Sequence, residues 1–419
     1  MKANGLCFIL ACSAICCMRS QAQSSQPFLL KTGDSVVFYG DSITALRFYT
    51  GEVEEIMLTR YPEMRVEFFN AGVPGDTVYG GLAGATATRL ARDVFPIKPT
   101  VVTVMLGMND TGYVPFDQHI FDVFQSGYTT LLNSLSTALP QAKITLIAES
   151  PYDEVTHGTQ FPGLGPTAQR YGNFVEQQAR ERHDTFANFN NALDTALRSA
   201  AKQNPDYAAL LIPDRIHPSE VGSWVMAEEL MRAWGASPEV SFQGIDASGG
   251  TVDTARNADI SKLQKTDSGL SWTALEKALP IPFSPDDPLM QFALRATTLP
   301  SQDQEILQVT GLLAHNYSLQ IDGKPIAELS SAELSAGVNL ALLSTPMLNQ
   351  ARGLHWLEFR KVSLDMSRYV LESERPSTPD GADAVKTLRE AITSLTEQQH
   401  RDGQPKPHQF ALVATPAKK

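Results

Sequence analysis

Four short segments of this 419-residue chain hold side chains that could act together on a carbonyl carbon. Ser42 lies in Gly40-Asp41-Ser42-Ile43-Thr44. Asn70-Ala71-Gly72-Val73-Pro74-Gly75-Asp76-Thr77 offers a tight turn in which Gly75 lets a backbone N–H approach a ligand closely. Asn109 lies in Gly107-Met108-Asn109-Asp110, and Asp214-Arg215-Ile216-His217-Pro218 sets a carboxylate three residues before an imidazole. Acyl transfer needs this inventory: a nucleophile, a base, a group that orients the base, and preorganised N–H donors. A carboxylate on Nδ1 of a histidine fixes the tautomer and leaves Nε2 free to take a proton. Of the eight histidines, only His217 has an aspartate three residues earlier. Singly, each segment fits a helix cap or a turn, since Asp, Ser and Asn favour both. Four in order, each at the end of an element, form a constellation.

The elements that must position them alternate along the chain. Ser35–Tyr39, Arg65–Asn70, Val101–Leu106 and Ile144–Ala148 read as strands, with Thr185–Phe189 a weaker fifth. Between and after them, Phe48–Tyr61, Gly80–Val94, Asp117–Leu139, Thr167–Arg182 and Asn191–Gln203 read as helices. Near-continuous apolar strands suit a parallel sheet covered on both faces. The alternation predicts an α/β sandwich with its site at the C-terminal strand ends, where the first three segments fall.

After about Gly235 the character changes. Residues 238–345 are predicted to be β-rich, with Asp322-Gly323 turning a hairpin between Tyr317–Ile321 and Lys324–Leu329. Gly337–Leu343 is a further apolar run. Residues 346–400 read as helical and 409–413 as a terminal strand. No motif in this half carries chemistry. Length alone suggests two domains at roughly 100–200 residues each, here 27–237 and 238–419.

The first residues read as an export signal: Lys2, an apolar run from Leu6 to Met18, then small residues about Ala22. The run is short of the ~20 residues a spanning helix needs. Cleavage after residue 22 would remove Cys7, Cys12, Cys16 and Cys17, the only cysteines, and with them any disulfide or thiolate chemistry. Lipoprotein processing at Cys12 is the lesser alternative. The expected location is periplasmic or extracellular, with no integral membrane segment after cleavage. A formal charge of −12, from 34 basic against 46 acidic residues, argues against a nucleic-acid partner read by a basic face. There is no H-E-x-x-H, so neither metal nor cofactor is expected. Ser199-x-x-Lys202 and Lys31-Thr32-Gly33 imitate penicillin-recognising enzymes, but in reversed order and without S-D-N.

Taken together, the four segments resemble the SGNH subgroup of the GDSL esterases and lipases. The resemblance covers residues 27–237. It implies a flavodoxin-like three-layer sandwich with a parallel five-stranded sheet, to which the C-terminal β-rich and helical region is an addition. It implies Ser42 as nucleophile, His217 as base and Asp214 as its orienter. It also implies an oxyanion hole made by the N–H groups of Ser42 and Gly75 and the side chain of Asn109. The expected activity is that of an exported ester hydrolase acting on acyl, above all acetyl, esters of carbohydrates, small or polymeric. The alternatives are a lysophospholipase, short-chain lipase or thioesterase, with Phe48, Tyr49, Met108 and Tyr113 lining an acyl channel, and a non-catalytic glycan-binding protein.

Overall fold

Five apolar runs pair into one parallel sheet in the order β2-β1-β3-β4-β5, where β1 is Ser35–Gly40, β2 Glu67–Gly72, β3 Val101–Met105, β4 Lys143–Ala148 and β5 Thr185–Asn188. The structure is a computed structural model that describes residues 27–158, 161, 163–284, 286–374 and 379–415; the expected export signal at 1–22 lies outside them. Side chains alternate across each strand, so β1 sends Val36 and Phe38 to one face and Val37 and Tyr39 to the other. The first face is covered by α1 (Phe48–Arg60), α4 (Phe189–Gln203) and α5 (Glu220–Ala233), through residues such as Tyr49, Val53, Leu197 and Leu230. The second is covered by α2 (Gln118–Ala138) and α3 (Leu164–Arg182), through Phe124, Tyr128, Leu135 and Tyr171. Burial of both faces explains why these strands read as unbroken apolar runs. Polar residues start the helices: Asp117, Asn188 and Ser219 each accept a backbone N–H of the first turn of α2, α4 and α5.

One expected helix is mostly absent. Within Gly80–Val94, Gly80-Gly81 and Gly84-Ala85 form a small antiparallel hairpin, and a single helical turn, Thr86–Arg89, then widens over Leu90–Val94. Three glycines in the first five residues favour a turn over a helix.

The second half forms two further sheets. An antiparallel sheet has the order β8-β9-β13-β11-β12, with β8 at Ala258–Thr266, β9 at Gly269–Glu276, β11 at Asn316–Ile321, β12 at Lys324–Ser330 and β13 at His408–Thr415. The other joins β6 (Glu239–Asp246), β7 (Thr251–Arg256) and β10 (Gln304–Thr310), with Val338–Asn339 on its edge. Ile245, Trp272, Leu307, Leu319 and Leu412 form a core shared by both sheets. Asp322 and Gly323 both take positive φ and turn the expected hairpin. The Gly337–Leu343 run gives only the two-residue strand and one tight turn.

The halves interpenetrate. Ile281, Phe283 and, on α6 (Pro288–Ala296), Met290, Phe292 and Ala293 join the core built by α4 and α5, and the Phe283 ring lies 5.3 Å from Trp224. The long helix α7 (Pro346–Glu374) pairs with α8 (Pro379–Asp402) and lies along α1, where Arg47 meets Asp365 at 2.8 Å and His355 meets Glu55 at 3.0 Å.

Candidate active site

Because all five strands run the same way, their C-terminal ends share one edge, and the chemistry-bearing segments converge there. β1 ends in Gly40, and the chain doubles back at once into a single helical turn, Ser42–Ala45. A Cβ at residue 40 would lie 2.2 Å from Thr44 Oγ1, so only glycine lets the turn fold onto the strand end. Asp41 caps that turn, its Oδ1 accepting the Ile43 N–H at 3.0 Å.

Ser42 Oγ lies 2.8 Å from His217 Nε2, and His217 Nδ1 lies 2.7 Å from Asp214 Oδ2. The other Asp214 oxygen accepts the N–H groups of Ile216 and His217 at 3.0 and 2.7 Å. Burial pushes the Asp214 carboxyl up, but these N–H groups and the His217 ring outweigh it and hold it below its ordinary range. The loop is braced from behind. Arg215, at φ 76°, donates its guanidinium to the carbonyls of His157 and Gly158, and its own carbonyl accepts the Asp153 N–H at 2.9 Å. Serine hydroxyl, imidazole and carboxylate thus form a continuous relay within hydrogen-bond reach, able to move a proton off Oγ and back to a leaving group.

The Asn109 amide donates to the Asp76 carbonyl at 2.9 Å and to Asp41 Oδ2 at 3.2 Å, while its oxygen accepts the Tyr113 hydroxyl at 3.0 Å. Gly75 sits exposed at φ 75°, with nothing within 4 Å of where a Cβ would be, so its backbone borders open space. Next to it, buried Asp76 pairs with the buried Arg89 guanidinium, which also holds the Ala71 carbonyl and stacks 4.6 Å over Tyr39. The structure therefore brings together Ser42, Asp214 and His217, and links Asn109 to the same turn through Asp41.

Of the four side chains expected about an acyl channel, Tyr49 belongs to the core. It is fully buried, hydrogen-bonds Thr44 at 2.9 Å and packs edge-on to Phe38 and Phe189. Met108 is buried against Tyr152 and Leu164, whereas Phe48 is exposed and Tyr113 half-buried.

Beneath the site lie carboxyls that sequence reasoning passed over. Glu149 follows β4 directly and accepts the Met108 N–H. Burial, then the Asp41 and Asp110 charges, push it well above the usual carboxyl range. Burial also pushes Asp41 up to about 6 and Asp110 up to about 7. The signal that could have found Glu149 is its place at the end of a buried parallel strand, the logic that singled out Ser42 and Asn109. Among the described residues no group of three or more His, Cys, Asp or Glu is arranged to hold a metal ion, and no helix is long and apolar enough to cross a membrane.

Residues 38–225 match the sequence profile of the GDSL-like Lipase/Acylhydrolase family. An acetylxylan esterase of Geobacillus stearothermophilus is 28% identical over 224 residues, which are 49% of this chain and 95% of that esterase. Among solved structures, BT4096, a gut microbial diltiazem-metabolizing enzyme, is 25% identical and superposes with a TM-score of 0.78 over 92% of this chain and 98% of its own. One relative thus spans about half of this chain, and the other nearly all of it.

Proposed function

We propose that this chain, an ester hydrolase whose residues 38–225 match the GDSL-like lipase/acylhydrolase family, is an exported serine esterase removing acyl groups, chiefly acetyl, from carbohydrates. The observation that carries the mechanism is the relay from Ser42 through His217 to Asp214. His217 Nε2 takes the Ser42 proton as Oγ attacks the ester carbon. Asp214 holds the ring in the tautomer that leaves Nε2 free. The oxyanion of the tetrahedral intermediate is received by the N–H groups of Ser42 and Gly75 and by the Asn109 amide. Both Asn109 hydrogens have protein acceptors in the free enzyme, and the 3.2 Å bond to Asp41 is the longer, so that is the one the oxyanion draws away. The intermediate collapses as His217 passes its proton to the departing alkoxide. Water, deprotonated by the same nitrogen, then releases the acyl group from Ser42.

The carbohydrate substrate is supported by the relative's name, acetylxylan esterase, and export by the N-terminal run. Residues 238–419 are proposed as an accessory region that supports the catalytic half. The name of the relative that matches along both halves makes diltiazem a small molecule to include among substrates.

The test is a panel of acetylated xylooligosaccharides, diltiazem, lysophospholipid and acyl-CoA, run on wild type and Ser42→Ala. We expect acetylated sugar to be turned over fastest and the folded Ser42→Ala protein to be inert on every ester. Preference for lysophospholipid or acyl-CoA would replace the substrate class. Near-normal turnover by Ser42→Ala would remove the serine mechanism.

A further inference from the structure

We propose that Glu149, carrying a proton, is a positioning residue of this site: its O–H donates to the Asp41 carboxylate while its other oxygen accepts the Met108 N–H, tying the turn that bears Ser42 to the loop that bears Asn109.

Three observations lead there. First, Glu149 has one oxygen engaged by the Met108 N–H and the other sealed from solvent, with no N–H or hydroxyl donor on it. A buried carboxylate oxygen left bare is costly, and a proton on it removes the cost if an acceptor lies opposite. Second, an acceptor lies opposite: Asp41 takes the amide of Asn109, the residue next to the Met108 that Glu149 holds, and this brings the two carboxyls close enough to share a proton. Third, Asp41 already receives the Ile43 N–H on one oxygen and the Asn109 amide on the other. It is the member of the pair whose charge is compensated, so the shared proton resides on Glu149. With that proton each carboxyl finds a partner, and the Ser42 turn and the Asn109 loop are joined through Asp41, Glu149 and Met108.

The inference rests on the roles given above to Ser42 and Asn109. Glu149 touches neither the hydroxyl nor any substrate atom. It acts on turnover only through the placement of residues 41–42 and 108–109, and a misplacement near 1 Å can cost about 100-fold. The charged and titratable groups facing the pair are few. Asp76 and Asp110 lie on the loops after neighbouring strands and His217 across Ser42, with the phenols of Tyr49, Tyr113 and Tyr128 around them. The phenols stay neutral up to high pH because burial raises all three.

Glutamine at 149 can donate to Asp41 through its amide and accept the Met108 N–H through its oxygen, but it cannot ionise. Glu149→Gln should therefore keep kcat within about threefold. Glu149→Ala, which also opens space beside Gly107, Ala148 and Tyr171, should lower kcat by about 10- to 100-fold at little change in KM. Wild-type kcat in Glu149→Ala, or equal damage in Gln and Ala, overturns the proposal.

A second readout needs no turnover. The folded state holds a proton that the unfolded chain releases at the ordinary carboxyl pKa. Wild type therefore loses stability as pH rises above that range toward the folded value, and Gln does not. The Tm of Glu149→Gln relative to wild type should climb steadily between pH 4 and pH 8. A difference independent of pH overturns the shared proton, even if Glu149→Ala does not fold. Retained activity in Ser42→Ala would instead defeat the reading of the site and leave this stability profile intact.

Discussion

The two halves of the molecule place their polar loops by opposite rules. In the first, all strands of the sheet are parallel, so every strand-to-helix loop opens on the same edge, and Ser42, Gly75, Asn109 and Glu149 meet although they are far apart in the chain. In the second, the larger sheet is antiparallel throughout. Tight turns send successive loops to alternate ends, and no comparable meeting occurs among residues such as Asp322, Gly323 and Asp246. The contrast shows why chemistry accumulates in the first half and packing in the second: direction of pairing decides whether loops converge.

The sharpest way to break that contrast is to disable the convergence without touching the fold. Asp214→Asn leaves the loop's N–H acceptor in place but can turn an N–H toward His217 Nδ1, stabilising the wrong tautomer. The expected loss in kcat is about 10⁴-fold, the size seen for the same change in a serine protease triad. The Asp214 side chain is 55% exposed, so the change should move Tm little. Steady-state kinetics and a melting curve on one preparation decide it, and a loss of less than tenfold would detach Asp214 from the chemistry.

Asn109→Ala comes next. It removes the proposed oxyanion donor and also the amide that donates to Asp41 Oδ2 from the loop after the neighbouring strand. Loss of such a donor lowers kcat by about 10²–10³-fold with KM nearly kept. If Asn109 only tightened its loop, the folded protein would turn over normally and melt early, by about 0.5–2 kcal/mol on the scale of a lost cap. The split between kcat and Tm separates the two.

How far the sequence led follows the same contrast. Runs such as SVVFYG and VVTVM are buried on both faces, so their residue types leave little but a parallel strand, and the five-stranded parallel sheet came out as expected. Ser42 and Asn109 stood out because each closely follows such a run, and Asp214 and His217 because of their three-residue spacing. Gly80–Val94 was misread because an Ala/Thr/Arg-rich stretch has helix-like composition, whereas the glycines at 80, 81 and 84 decide the backbone. Glu149 was missed because its importance depends on where Asp41 and Met108 arrive, a long-range fact that no local pattern carries. The same holds for residues 279–303, which fall by sequence within the second domain but whose Phe283, Met290 and Phe292 pack against the first.

That crossing bears on whether the halves are separable at all, and the prediction with the smallest effect on turnover tests it. Arg60 ends α1. Its guanidinium reaches the Ser237 carbonyl at the junction, the Gln302 carbonyl at 3.3 Å and Asp303 Oδ1 at 2.8 Å, and Asp303 Oδ2 accepts the Ile281 N–H at 3.0 Å. Both charges are buried, so Asp303→Ala leaves an uncompensated guanidinium and should cost about 3–5 kcal/mol, while Arg60→Met with Asp303→Leu should recover most of it. The kcat of the folded fraction should not change, since neither group is near Ser42 in the hydrogen-bond network. Burial raises Asp303 to about 6 despite Arg60 and Ile281. The folded carboxyl thus binds its proton more tightly than the unfolded one. Its contribution to stability is fully present below the ordinary carboxyl pKa and is lost as pH rises through about 6. The penalty of Asp303→Ala should therefore be largest in acid and shrink toward neutrality; a penalty that grows with pH would mean the ion pair outweighs burial. Activity and the fluorescence of Trp272, in the second half's core, should fall together on heating. If the esterase survives after Trp272 has become exposed, the first half stands alone, and the interpenetrating core adds stability without being required for the fold.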